Sequence, residues 1–292
     1  MLRGRGDVPA ATHAIHRMAL LLTLRDLGRA AALSIDLGGV VPHAVRDADL
    51  PTIARMPIRA DEADCRLGDV VALAGDPRDG RIECRGDFSR VHGLGAGMTE
   101  GTITALGHVG RHAGAGMTGG TLAIAGDAGD WLAAEMVGGT VAVGGGAGDN
   151  AAAALPGSGT GMRGGLVVVA GHAGCLAGAR MRRGILAVGG DCGEGVALEL
   201  RAGTVIVGGR IGPHPACGMR RGSLVALHDT PSPPPTFVRG AAWHPGFLPL
   251  LLARLARAGF RPAAGPLPGP WRQWHGDGLT GGRGELFHRE AA

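Results

Sequence analysis

The chain has no tyrosine and no lysine, and aromatic residues fill only 3% of its 292 positions. Without lysine, no glycine-rich loop here can be read as a phosphate-binding P-loop, because that motif needs a Lys to reach the phosphates. No apolar run approaches the length of a membrane span. The opening MLRGRGDVPAATHAIHRMALLL has arginines and an apolar patch, but the patch is too short for a secretory signal and no small-residue cleavage site follows it. The expectation is a cytoplasmic protein, with residues 1–17 untranslated or disordered and Met18 as an alternative start. Five cysteines are an odd number and include no C-x-x-C pair, which argues against a thiol zinc site or a disulfide framework. Cys65 and Cys84 stand 19 apart and are expected as reduced thiols at equivalent positions of adjacent coils. A net charge of +4 does not call for nucleic acid.

Glycine, at 56 residues, is what the chain has in excess. Without a period this would suggest low complexity. The period is there. Met98, Met117, Met136, Met162, Met181, Leu200 and Met219 are anchors 19 residues apart, with one 26-residue interval between Met136 and Met162. Glycine follows each anchor by three residues, and by nine and twelve in every repeat but the last. Between the first two glycines lies a short apolar run such as TLAIA at 121–125 or LVVVA at 166–170. Such runs bounded by glycine read as strands, and a fixed short period means stacked units that bury their apolar faces against neighbours. Nineteen is not a multiple of six, so a hexapeptide helix is disfavoured. The fold expected is all-β, a right-handed single-stranded parallel β-helix of about seven coils. Glycine corners imply positive φ or close coil-to-coil approach, and Met at the anchor is a flexible core filler.

The ends depart from the repeat. Residues 1–60 are expected to form an N-terminal cap with one or two strands and a short helix from Leu50 to Arg55. The array, 61–230, begins in degenerate form with GDVVALAGD at 68–76 and GRIECRGD at 80–87. Residues 231–292 comprise the stiff PSPPP linker, an amphipathic helix from Phe247 to Gly259, and a C-terminal cap that covers an otherwise open sheet edge.

Equal phase puts residues on adjacent strands about 4.8 Å apart, so chemistry can be sought in columns. Ten after the anchor, His108 precedes Asp127 and His172 precedes Asp191 by one coil. Each pair could orient an imidazole for general-base work; the alternative is a solvated corner where both cap backbone groups. Arg111 and Asp130 read as a surface ion pair. His108 and His112 have the zinc-pair spacing, with His92 nearby, but glycine corners interrupt them and no Cys or carboxylate completes a shell. No catalytic or metal-binding residue is therefore assigned. The seven-residue insertion Gly157-Ser158-Gly159-Thr160-Gly161 looks like a phosphate cradle or a plain protruding loop. One after the anchor stand Arg163, Arg182, Arg201 and Arg220, with Arg183 and Arg221 beside them. These like charges repel on neighbouring strands. They are either a splayed, hydrated row or a strip that receives carboxylates or an acidic partner surface. Trp131, at a corner, is either an interface anchor or a cover for the core. Carboxylates are scattered, so a stand-alone glycan lyase, which needs them clustered on a strand face, ranks last.

The phrases VHGLGAGMTEGTITALGHVGRHAGAGMTGG at 91–120 and DAGDWLAAEMVGG at 127–139 resemble the G-x-G-x-G repeat subunit of formylmethanofuran dehydrogenase. That family shares its repeat domain with the C-terminal β-helix of the glutamate synthase large subunit. The likeness extends to LTLRD, SIDLGGVVP and the PTF…FLPLLLARL…WRQWHGD tail, which is similar to the form found in methylotrophic bacteria. The resemblance implies a structural subunit of the formyltransferase/hydrolase complex. There a formyl group passes from formyl-tetrahydromethanopterin to a methanofuran-type carrier and is released as formate. The implied partners are an amidohydrolase-like hydrolase, a formyltransferase and a molybdopterin-subunit-like protein. The alternative is the same structural role in a molybdenum or tungsten dehydrogenase. Carriers of this type bear glutamate tails, which the arginine strip would suit; the insertion loop (Gly157, Ser158, Gly159) and Trp131 would meet partners.

Overall fold

The structure is a computed structural model in which residues 19–26, 34–61, 63–261 and 269–289 are described. Residues 1–17 and Met18 lie outside them. The N-terminal region contributes β1 (Leu20–Leu24), β2 (Ile35–Asp36), α1 (Pro42–Val45), α2 (Leu50–Ala54), β3 (Pro57–Ala60), β4 (Ala63–Arg66), α3 (Leu67–Val70), β5 (Val71–Ala74), β6 (Arg81–Arg85) and β7 (Val91–His92). The Asp49 side chain caps α2 by accepting the Thr52 N–H at 2.9 Å. Strands β2, β3, β4 and β7 make a small four-stranded sheet.

The array follows as β8 (Thr102–Ala105), β9 (Thr121–Ile124), β10 (Thr140–Val143), β11 (Arg163–Val169), β12 (Arg183–Val188), β13 (Thr204–Val207) and β14 (Arg221–Ala226). These strands pair in sequence order, all parallel, within a 13-stranded sheet, as an all-β, parallel β-helix-like fold requires. The register follows the repeat: Thr102, Thr121, Thr140, Leu166, Ile185, Thr204 and Ser223 stand in one column. The next residue of each strand points inward, and Ile103, Leu122, Val141, Val167, Leu186, Val205 and Leu224 are all fully buried. Each such side chain contributes about 1.5–3 kcal/mol of burial free energy. All seven anchors are buried too, filling the axis between walls.

A second wall is thinner. Single bridges join Phe88, Val109, Ala128, Ala147, Ala173, Cys192 and Ile211 in turn. The third wall has a backbone pattern that the strand reading did not anticipate. Every second residue before an anchor adopts positive φ: Gly93, Gly95 and Gly97, then His112, Gly114 and Gly116, then Trp131, Ala133 and Glu135. Successive N–H groups there bond in opposite directions, Gly114 to Leu94 one coil back and Gly116 to Ala134 one coil on.

The two expected reasons for corner glycines separate by position. Those three after the anchor, such as Gly120 at φ +79, need the left-handed region. Those nine and twelve after it have ordinary φ and are required by contact, since a Cβ on Gly171 would lie 2.9 Å from the Gly145 carbonyl.

The outer face of the sheet explains the C-terminal cap, formed by β15 (Val238–Trp243), α4 (Phe247–Arg257), β16 (Trp271–Gly276) and β17 (Arg283–Arg289). Strands β8 to β10 turn Thr and Ala outward, whereas β11 to β14 turn out Leu166, Val168, Ala187, Ile206 and Val225. Leu248, Leu255 and Phe260 of the α4 segment cover this apolar half. Strand β17 extends the parallel ladder beyond β14, and β16 and β15 continue antiparallel.

Two expectations for the start of the array are corrected. GDVVALAGD is not a coil: its Asp69 carboxylate accepts the Arg66 N–H at 2.9 Å and closes a helical turn, after which β5 runs antiparallel to β1. Cys65 and Cys84 are free thiols on different sheets, Cys65 on β4 and Cys84 on β6. Their 19-residue spacing is therefore not a repeat equivalence.

Candidate functional site

The corners come first, because the sequence offers them as catalytic pairs. His108 Nδ1 accepts the Asp127 N–H at 3.0 Å, and His172 Nδ1 accepts the Asp191 N–H at 2.8 Å. Asp127 Oδ2 also lies 3.2 Å from His108 Nδ1, but a nitrogen that accepts a backbone proton holds none to share with a carboxylate. The aspartates continue the same use, Asp127 accepting from Gly146, Asp130 from Asp149 and Asp191 from Arg210. The columns are capping ladders that satisfy one exposed N–H per coil. Arg111 and Asp130 make no ion pair; Asp130 is taken by the backbone instead.

The thiols do not supply a nucleophile. Burial raises Cys84 and Cys192 to about 12, and burial and the Asp277 charge also push Cys217 up. Among the described residues, no group of three or more His, Cys, Asp or Glu side chains could hold a metal ion. His92 uses Nδ1 to accept the Arg111 N–H at 2.9 Å. The pKa values of His92 and His112 are lowered, by burial first and by Arg111 second.

Trp131 stands on the positive-φ wall at φ 55, half-buried. Its ring stacks on His112 of the preceding coil, with centroids 5.3 Å apart and planes within 2°. The core below it is filled by its neighbour, Leu132.

The arginines form a continuous edge. Arg163, Arg182, Arg201 and Arg220 each donate a backbone N–H to an anchor carbonyl one coil back: Met136, Met162, Met181 and Leu200 respectively. Side chains of Arg163, Arg182, Arg183, Arg220 and Arg221 are exposed, and Arg201 is half-exposed. A bulge shifts the register so that Arg163 pairs with Arg183 rather than with Arg182. Strand β17 adds Arg283 opposite Arg221, a member invisible to repeat alignment because it lies beyond the array. Among the described residues none of these guanidinium groups has an ion-pair or hydrogen-bond partner. A row of unneutralised like charges sets up a positive potential along one side of the molecule.

The insertion loop lies against this edge. Arg180 Nη1 donates to the Ser158 carbonyl at 3.2 Å while its Nε pairs with Glu199 at 3.0 Å. The Leu155 N–H donates to Glu135 at 3.1 Å. A Cβ placed on Gly159 would come within 3.8 Å of an Arg201 guanidinium nitrogen. Two features separate in sequence thus meet: the strip and the loop make one surface, with Gly157 exposed at φ +81 at its tip. Trp131 lies on the neighbouring wall. No helix is long and apolar enough to cross a membrane among the described residues.

No protein-family model and no curated protein matches the sequence. A solved structure does: a chain of the formyltransferase/hydrolase complex (FhcABCD) from Methylorubrum extorquens, determined in complex with methylofuran. It aligns with 34% identity and a TM-score of 0.85, over 93% of this chain and 100% of that chain. Likeness at that level of identity over the full length of both chains carries more than the fold, and the chain belongs to the family of formyltransferase/hydrolase complex subunits.

Proposed function

We propose that this chain is the β-helical scaffold of a cytoplasmic formyltransferase/hydrolase complex, a subunit without an active site of its own. In this reading other subunits transfer the formyl group from formyl-tetrahydromethanopterin to a methanofuran-type carrier and hydrolyse it to formate. The observation that carries the reading is the end-to-end likeness to one chain of such a complex, with no unmatched catalytic domain in that chain. The capping ladders support it, because the polar columns satisfy backbone rather than converge on a reacting centre. The arginine edge (Arg163, Arg182, Arg201, Arg220) is assigned to an acidic surface, either the glutamate tail of the carrier or a partner protein. The loop Gly157-Ser158-Gly159 and Trp131 are assigned to partner contact.

Affinity purification of the tagged chain from its host, with mass spectrometry of what remains bound, tests the assignment. A hydrolase-like and a formyltransferase-like partner are expected. A molybdopterin and iron–sulfur set would move the chain to a dehydrogenase, and a solitary chain would overturn the scaffold role. Replacing Arg182 and Arg201 by Glu should weaken carrier retention or assembly in a salt-dependent way; no change in either would remove the edge from the site.

A further inference from the structure

The C-terminal cap contains a cleft that the β-helix itself does not require. From Thr230 to Gly276 the sequence holds no Asp or Glu, yet it carries Arg239, Arg254, Arg257, Arg261 and Arg272. Side chains alternate across a strand, so Arg272 and Trp274 share one face of β16. The register sets Arg239 opposite Trp274 and Arg272 opposite His288. Trp271 and Phe287, on the other face, are buried with α4. The first face is open. With the strap Thr230–Pro235 and Phe237 it bounds a cleft of about 730 Å³, and no carboxylate lines it.

The groups in the cleft are held in place. Trp274 Nε1 donates to His288 Nε2 at 3.0 Å, and His288 Nδ1 bonds the Arg289 carbonyl at 2.7 Å. An imidazole with both nitrogens committed cannot trade protons with a ligand, so the cleft recognises rather than catalyses. Arg272 is steadied by a 2.9 Å bond from Nη1 to the Gly240 carbonyl. The consecutive prolines of the wall have little freedom to lose when a ligand arrives. Guanidinium forks match carboxylates, and the indole offers a surface for the methylenes that carry one.

We infer that this cleft binds a carboxylate on a short apolar stem, through Arg239 and Arg272 with Trp274 as the floor. Such a group comes from an acidic side chain or C-terminus of a partner polypeptide, or from a free small carboxylate. The cleft is separate from the arginine edge, and the inference does not depend on the scaffold assignment.

The test titrates the full-length chain with glutarate and, separately, with a Glu-rich decapeptide, read by tryptophan fluorescence and calorimetry. At least one probe is expected to bind and to quench or shift the emission. Arg239 is exposed, so Arg239→Gln should fold normally and weaken binding by about tenfold or more. Arg239→Lys, which keeps charge but not the fork, should recover part of the loss. Trp274→Leu should remove the emission change. Arg182→Gln, on the edge, should leave the affinity unchanged. Peptide binding alone identifies a partner polypeptide, and glutarate binding identifies a small ligand. No binding of either probe, full affinity in Arg239→Gln, or loss only in Arg182→Gln would overturn the inference.

Discussion

Replacing Gly171 by Ala tests the idea that coil spacing, rather than backbone conformation, dictates glycine at this corner. Gly171 has ordinary φ, so alanine costs nothing in the backbone. Its Cβ, however, would sit 2.9 Å from the carbonyl carbon and oxygen of Gly145 and 3.0 Å from the Gly146 nitrogen. All three are main-chain atoms and cannot swing aside as a flexible side chain would. The coils must part by several tenths of an ångström, straining the 2.8 Å bond from the Gly171 N–H to the Gly145 carbonyl. Overpacking of this kind costs about 1–3 kcal/mol. Gly157 is the control: it has φ +81 and nothing within 4 Å of its Cβ position. Gly157→Ala pays only for the left-handed backbone, roughly 1–2 kcal/mol, and recovers about 0.4–1 kcal/mol from a less flexible unfolded chain. Its net cost is therefore below roughly 1.5 kcal/mol. Urea unfolding followed by circular dichroism should show a larger loss of midpoint for Gly171→Ala than for Gly157→Ala. Equal losses, or the reverse order, would refute the contact argument and return this glycine to a conformational role.

Other outcomes follow from single contacts. Met181 is fully buried on the axis, so Met181→Ala should lower unfolding free energy by about 2–5 kcal/mol in the same assay. Burial lowers the His112 pKa below its ordinary 6.5, so the unfolded chain takes up protons first as pH falls and stability is lost below about 6.5. His112→Asn, which tolerates the left-handed φ of 61 at that position, should flatten part of that slope in thermal unfolding between pH 7 and pH 5; His92, shifted in the same direction, keeps the remainder. In the native isolated chain, iodoacetamide should label exposed Cys175 and spare Cys84 and Cys192, whose burial holds them near 12; peptide mapping reads the result. Arg180→Ala removes the brace on Ser158 and the Glu199 pair and should speed proteolysis within residues 154–160 while leaving the melting temperature nearly unchanged.

The sequence alone determined the array. A period of 19 with glycine and apolar positions in constant phase leaves stacked parallel strands as the arrangement that buries each unit's apolar face, and the register column from Thr102 to Ser223 follows it. The α4 helix was legible for the same local reason, an apolar stripe closed by Gly259, which has φ +91. The arginine column was legible as a column, because equal phase becomes adjacency in a solenoid. The tertiary structure decided what depends on contacts between distant segments or on hydrogen-bond direction. It turned the His–Asp pairs into backbone caps, because which atom donates to an imidazole nitrogen is not written in residue spacing. It brought Arg283 to Arg221, and the loop to Arg201, across separations that no repeat encodes. It also showed the third wall, where alanine, histidine and tryptophan hold positive φ that composition would give to glycine. Neighbouring coils accept those N–H groups from both sides, and that satisfaction, available only once the coils stack, offsets the local strain.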